Sequence, residues 1–182
     1  MNLKRNLIWT MLSLCALGLI TGCASEEVVE EKKEEETPKG NCVVTDCIKQ
    51  IETSNSVEEI NDIIGFEGTK SDYSEERTWK LDSKNWITLK YAGESPILQA
   101  TIDKDKIKNE NIKLPTSSEL QTMLNNGSFT YEELVDKLNG IEGILDSKTT
   151  KSVGYIWVDK NKRVLSATFN NESGKCTIAS FR

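Results

Sequence analysis

Between Ser56 and Gly65 the apolar residues Val57, Ile60, Ile63 and Ile64 recur at the three- and four-residue spacing of a helix with one buried face. The stretch from Thr130 to Gly140 repeats the pattern with Tyr131, Leu134 and Leu138. Ser56 with Glu59, and Thr130 with Glu133, have the spacing of capping boxes. Gly65 and Gly140 stand where each helix wants a left-handed C-terminal cap. A shorter amphipathic stretch precedes each helix, TDCIKQIE before the first and TSSELQTMLNNG before the second.

After GFEG (65–68) and GIEG (140–143) the period changes from that of a helix to that of a strand. RTWKLDSKNWITLKY aligns with YIWVDKNKRVLSATF, which places Trp79 on Trp157 and Tyr91 on Phe169. Turn-forming residues, Asp82–Asn85 or Asp159–Lys162, interrupt the alternation in each. A second turn, AGESP or NNESG, leads into ILQATI or CTIASF. The segments just after Gly68 and Gly143 offer one further strand each. Both halves therefore read helix–helix–strand–(strand)–strand–strand, joined by DKDKIKNENIKLP, and a duplicated α+β unit is expected.

A helix pair covers one face of an antiparallel sheet. The alternation assigns Trp79, Leu81, Ile87, Leu89, Tyr91, Leu98, Ala100 and Ile102 to the covered face of the first half. By equivalence, Trp157, Leu165, Ala167, Phe169, Ala179 and Phe181 take it in the second. The opposite face then carries Thr78, Lys80, Trp86, Thr88, Lys90 and Gln99, and in the second half Ile156, Val158, Val164, Ser166, Thr168 and Ile178. An apolar patch rimmed by polar groups marks a binding surface, so Trp86, Thr88, Lys90, Ile156, Val158, Val164 and Ser166 are the candidate partner-binding residues. The alternative, that the tether, a terminal segment or the other repeat covers them, stays open at this point.

The N-terminus has another character. Lys4 and Arg5 precede a mostly apolar run from Leu7 to Ile20, short for a bilayer span and ending in ITGC. This resembles the lipobox of bacterial lipoproteins, which implies removal of residues 1–22, diacylglyceryl attachment at Cys23 and a palmitate-type acyl anchor. The expected localisation is then the cell membrane, lipid-anchored on its extracytoplasmic face. Residues 23–40, with seven glutamates and three lysines among them, read as an acidic tether. Its span is at most about 55–60 Å extended, and roughly 20–25 Å as a coil. Globular composition follows, divided as repeat 1 (41–103), linker (104–115) and repeat 2 (116–182). That is enough chain to bury about two-thirds of its unfolded surface.

Loss of Lys4 and Arg5 takes the cations from 23 to 21 against 29 carboxylates, a net charge of −8. Such a surface is not expected to bind nucleic acid, which needs clustered cations, nor anionic headgroups; attachment to the membrane is expected through the lipid alone.

Little in the chain points to a reaction. Histidine, the commonest general base and metal ligand, does not occur. No serine sits in a nucleophile elbow. DKDKIKNEN lacks EF-hand spacing and reads as a solvated linker. The G-x-x-G pairs follow helices instead of preceding them, so they are turns and not phosphate loops. No catalytic residue, no metal ligand and no cofactor is expected, and the protein is not expected to be an enzyme. Cys42, Cys47 and Cys176 remain after processing; a bridge between the first two, or from either to Cys176, is conceivable.

Glu58–Gly68 with Trp79, and Glu132–Gly143 with Trp157, resemble the tandem repeats of the β-lactamase inhibitor protein (BLIP) family. A single repeat also resembles outer-membrane assembly lipoproteins of the SmpA/OmlA type. The resemblance covers roughly residues 45–182. It implies two tandem helix–helix–antiparallel-sheet repeats forming one continuous concave sheet backed by helices. The concave face would grip a partner, here an unidentified envelope or extracellular protein. Fold does not fix function, and inhibition of a β-lactamase does not carry over with it. The expected role is a protein-binding, inhibitor-like envelope lipoprotein; the alternative is a structural or assembly component of an envelope complex.

Overall fold

The structure, a computed structural model, describes residues 39–182. The expected signal segment, Cys23 and nearly all of the tether lie outside the described residues. Helices α1 (Val44–Gln50) and α2 (Val57–Ile64) come first. Strands β1 (Thr69–Lys70), β2 (Arg77–Lys80), β3 (Trp86–Ala92) and β4 (Ser95–Thr101) follow. A short α3 (Lys104–Ile107) leads to α4 (Ser117–Asn125) and α5 (Tyr131–Lys137). The chain ends in β5 (Ile144–Thr149), β6 (Ser152–Val158), β7 (Val164–Asn170) and β8 (Cys176–Phe181).

The helix starts form as the capping pattern requires. Ser56 Oγ accepts the Glu59 amide at 3.2 Å while the Glu59 carboxylate accepts the Ser56 amide at 2.7 Å. Thr130 and Glu133 do the same. A third box, Thr116 with Glu119, starts α4. Gly65 caps α2 at φ 96°. Helix α5 stops sooner: Leu138 is its C-cap, and the left-handed turn falls on Asn139 and Gly140, whose amide bonds the Val135 carbonyl at 2.9 Å.

All eight strands form one antiparallel sheet in the order β1 to β8, so the protein is α+β. This strict meander sorts the connections. The β2–β3 turn, the exit of β4, the β6–β7 turn and the end of β8 share one end of the sheet. The β1–β2, β3–β4, β5–β6 and β7–β8 turns share the other. Strands β4 and β5 are neighbours despite three helices between them, but only three residue pairs join them.

The registers keep the expected faces. Trp79 lies opposite Ile87 and Ile87 opposite Ala100; Trp157 lies opposite Leu165 and Leu165 opposite Phe181. Ile48, Ile51, Ile60 and Ile64 pack on Trp79, Ile87, Leu89 and Leu98 in one core cluster. In a second cluster, Leu120, Phe129, Leu134 and Leu138 cover Trp157, Leu165, Ala167 and Phe169. Full burial of one such side chain contributes about 1.5–3 kcal/mol. Tyr91 departs from expectation: it pairs with Pro96 near the hairpin tip and is 49% exposed.

The linker departs further. Ile112 and Leu114 are buried in the second cluster, and Asn109 forms a parallel bridge to Asp159. The stretch read as solvated is thus a structural crossing, because its spaced Ile107, Ile112 and Leu114 find apolar partners.

The second glycine of each G-x-x-G has a steric role. A Cβ on Gly68 would sit 2.5 Å from the Trp79 ring, and one on Gly143 would sit 2.6 Å from Trp157. Each indole is fixed in turn by its N–H, Trp79 to Asn61 Oδ1 at 2.8 Å and Trp157 to the Ile141 carbonyl at 2.9 Å.

Candidate binding surface

The sheet face away from the helices is built in rows. In the first half, Thr78, Thr88 and Gln99 form one row, and Lys80, Trp86 and Thr101 the next. Thr88 is buried between its neighbours, its hydroxyl 3.5 Å from that of Thr78. Trp86, Gln99 and Thr101 are half-buried. Lys90, beyond Thr88 on the same strand face, is half-exposed and ion-paired to Glu76 at 3.6 Å. This part presents polar side chains around one indole.

The second half of the same face is not open. Ile156, Val158, Val164 and Ser166 are all buried, 2–7% exposed. The three apolar residues join the first core cluster, not the second, and Ile107 and Ile144 pack against that cluster. Two covering elements explain this. The linker crosses here, with the Asn109 amide on the Val158 carbonyl at 2.9 Å and Lys162 paired to Asp105 at 2.6 Å. The C-terminal Arg182 reaches back to Ser166 Oγ at 2.9 Å and to Asp146 at 3.4 Å. The expectation that Ile156, Val158, Val164 and Ser166 present a partner-binding surface is therefore corrected. Strand alternation reports which face a side chain takes, not what lies over it. On this half of the face Ile178, Ser180 and Arg182 itself are exposed, and Thr168 is half-buried.

Asp146 was not among the expected residues. A bulge between Leu145 and Ser147 inserts it into β5. Its carboxylate then shares a side with Ser147 and with Gly154, whose position admits no Cβ because the Ser147 hydroxyl occupies that space. Burial pushes the Asp146 carboxyl above its ordinary range, and Arg182 opposes that shift without cancelling it. Bulges leave no fixed mark in a single sequence, so neither Asp146 nor its pairing with Arg182 was legible. The same holds for Lys148, which crosses the covered face to reach helix α1.

Cys42 and Cys47 are bridged, with Cα atoms 5.5 Å apart, and this closes the choice left open by the sequence. Cys176 is buried and free, its thiol pushed up to about 11 by burial. Beside the disulfide lies a cleft of about 470 Å³, lined by Val43, Val44, Leu81, Ile102 and Ile107 among others. Among the described residues no group of three or more His, Cys, Asp or Glu is placed to hold a metal ion, and no helix is long and apolar enough to cross a membrane. The lowered carboxyls of Glu59 and Glu119 accept backbone amides in capping boxes, which is a structural role.

What fold and surface define together is an α+β protein with one eight-stranded antiparallel sheet, α1, α2, α4 and α5 on one face, and a second face that the linker with α3 partly closes. No protein-family model matches the chain, and no curated protein or solved structure matches it.

Proposed function

We propose that this is a cell-envelope lipoprotein, lipid-anchored at Cys23, that binds another protein through the helix-free face of the first half of its sheet. The observation that carries the reading is Trp86, a half-buried indole set among Thr88, Gln99, Thr101 and Lys90 on a face that no helix covers. Amphipathic aromatics in such settings anchor protein interfaces. Two tandem BLIP-like units, 41–103 and 116–182, account for the shared order of two helices and four strands in each half, with 104–115 joining them. The surface that grips a partner would be narrower than the whole sheet, since the linker and Arg182 occupy the other half. The lipobox-like ITGC supports the anchor and the extracytoplasmic location.

Cross-linking pull-down from native envelopes tests the proposal. Trp86→Ala and Lys90→Glu should each reduce capture of one specific partner at least about tenfold, the loss of an interface anchor, with unchanged circular dichroism. Capture undiminished by both substitutions would refute this face. A partner that survives washing in salt and detergent would favour the alternative, a permanent component of an envelope assembly. Acyl labelling that persists in Cys23→Ala would refute the anchor.

A further inference from the structure

The two edges of the sheet differ in how they are guarded. Edge β1 is 2 residues long, with exposed Glu67 just before it and Lys70 ion-paired to Glu75 at 2.9 Å. Short length and charge are what keep an edge strand from pairing with another chain. Edge β8 has 6 residues, CTIASF, with no charge and no proline. Helix α4, which packs beside β8, adds 9 more. Within these two elements Glu119 is the one charged residue, and its carboxylate is taken up by the Thr116 amide and hydroxyl. Ser118, Gln121 and Asn125 of α4 are exposed and neutral. In a chain with 29% charged residues this margin is depleted of charge, as the centres of protein interfaces are.

The open part of the edge can be read from its hydrogen bonds. The Arg182 amide bonds the Val164 carbonyl at 2.9 Å, and Ser180 and Ile178 pair with Ser166 and Thr168. Alternation along an antiparallel strand then turns the N–H and C=O of Ala179 and Phe181 away from β7. At the start of β8 the outward groups are used. The Cys176 amide bonds the Phe129 carbonyl at 2.7 Å, and the Cys176 carbonyl accepts the Ser128 hydroxyl. Ala179 and Phe181 have no such partner among the described residues. Between them Ser180 is exposed, and Ile178 beside them is 65% exposed.

We propose that β8 pairs with β8 of a second copy of this chain, antiparallel about a two-fold axis at Ser180, so that the two sheets continue into one. In that register Ala179 of each copy exchanges both backbone bonds with Phe181 of the other, which uses every open group on both edges. An axis at Ala179 would instead set Phe181 against Thr177, where the β8 register is shifted. With the axis at Ser180, Ile178 lies against the aliphatic stem of Arg182 from the second copy. No acid meets an acid and no base meets a base, because Lys175 and Glu172 fall beyond the paired stretch. Arg182 and Arg163 at the margin are already held in their own chain by Asp146 and Asp159. The chain is acidic overall, which opposes self-association through most of its surface but not through this margin. Trp86, on β3, is far from β8 in the strand order, so this pairing leaves the proposed partner face free and does not depend on it.

Cysteine cross-linking in intact cells that produce the full-length chain tests this. Ser180→Cys would place two thiols on the axis at a non-hydrogen-bonded pair, where the Cα atoms lie about 4.5 Å apart, within disulfide reach. The two copies of Ile178→Cys would lie roughly 14 Å apart along the strands, beyond it. Mild oxidation should therefore give a disulfide-linked dimer of S180C in at least about tenfold the yield of I178C. In the S180C background, Ile178→Lys, which would face Arg182 of the second copy, should cut that yield at least about fivefold with unchanged circular dichroism. Ala179→Pro, which removes an outward amide, should do the same. Equal yields from S180C and I178C, a dimer that survives I178K, or no cross-link at all overturns the proposal. A cross-link from S180C to a different protein in place of the dimer also overturns it.

Discussion

Lys148, from the covered face of β5, donates to the Ile51 carbonyl at the end of α1 at 2.9 Å. It is a lysine standing where the alternation calls for an apolar residue. The same ammonium reaches the Lys49 carbonyl at 3.2 Å and Glu52 at 3.1 Å, and its side chain is only 12% exposed. A cation at the C-terminus of a helix satisfies carbonyls that have no partner within it. This contact ties a second-half strand to a first-half helix. Lys148→Met should therefore cost about 1–3 kcal/mol, the scale of a charged hydrogen bond lost with its acceptors left behind. Glu52→Gln, which removes only the exposed partner, should cost less than about 1 kcal/mol. Urea titrations of the two variants check the order.

The glycines divide by what surrounds them. Gly68→Ala and Gly143→Ala drive a methyl into an indole and should each destabilise by about 1–3 kcal/mol. Gly93→Ala and Gly174→Ala meet nothing within 4 Å, and should lose only the roughly 1 kcal/mol that a left-handed backbone costs alanine. Denaturant midpoints, with the near-ultraviolet tryptophan signal, separate the two pairs.

Asp146 makes stability depend on pH. Its carboxyl is raised in the folded state by burial, so its contribution is fully present below the unfolded value near 3.9 and is lost as pH rises through the folded value. Asp146→Asn cannot ionise and keeps an acceptor for Arg182. Between about pH 4 and neutrality the variant should gain stability relative to the wild type. If the wild type gains instead, pairing with Arg182 outweighs burial.

The thiols should behave differently. Cys176, buried and raised to about 11, should resist an aromatic disulfide reagent until the chain is unfolded, then react fully. Reduction of Cys42–Cys47, which closes a loop with a separation of 5 residues, should lower stability by about 2 kcal/mol. A thiol titration with and without urea, before and after reductant, reads both.

Local rules were legible wherever one residue type has one local use. Ser56 with Glu59, Thr130 with Glu133 and Gly65 could each be assigned because a cap depends on neighbours within one turn. Strand faces were legible from Trp79, Ile87, Trp157 and Leu165 because side-chain direction alternates strictly along a strand. The candidate surface was legible in part. Trp86 and Lys90 stand on the uncovered face as alternation places them, whereas Ile156, Val158 and Val164 hold the expected direction and are nonetheless buried.

By itself the sequence determined the α+β class, the positions of the turns, four of the five helices among the described residues, and which side chains share a face. Those depend on periodicity and on caps a few residues long. Only the tertiary structure decided that β4 and β5 join the halves into one sheet, that Cys42 bridges to Cys47, and that the linker and Arg182 close half of the second face. Those contacts join residues tens of positions apart, and their energy comes from burial and ion pairing between segments that no local pattern relates.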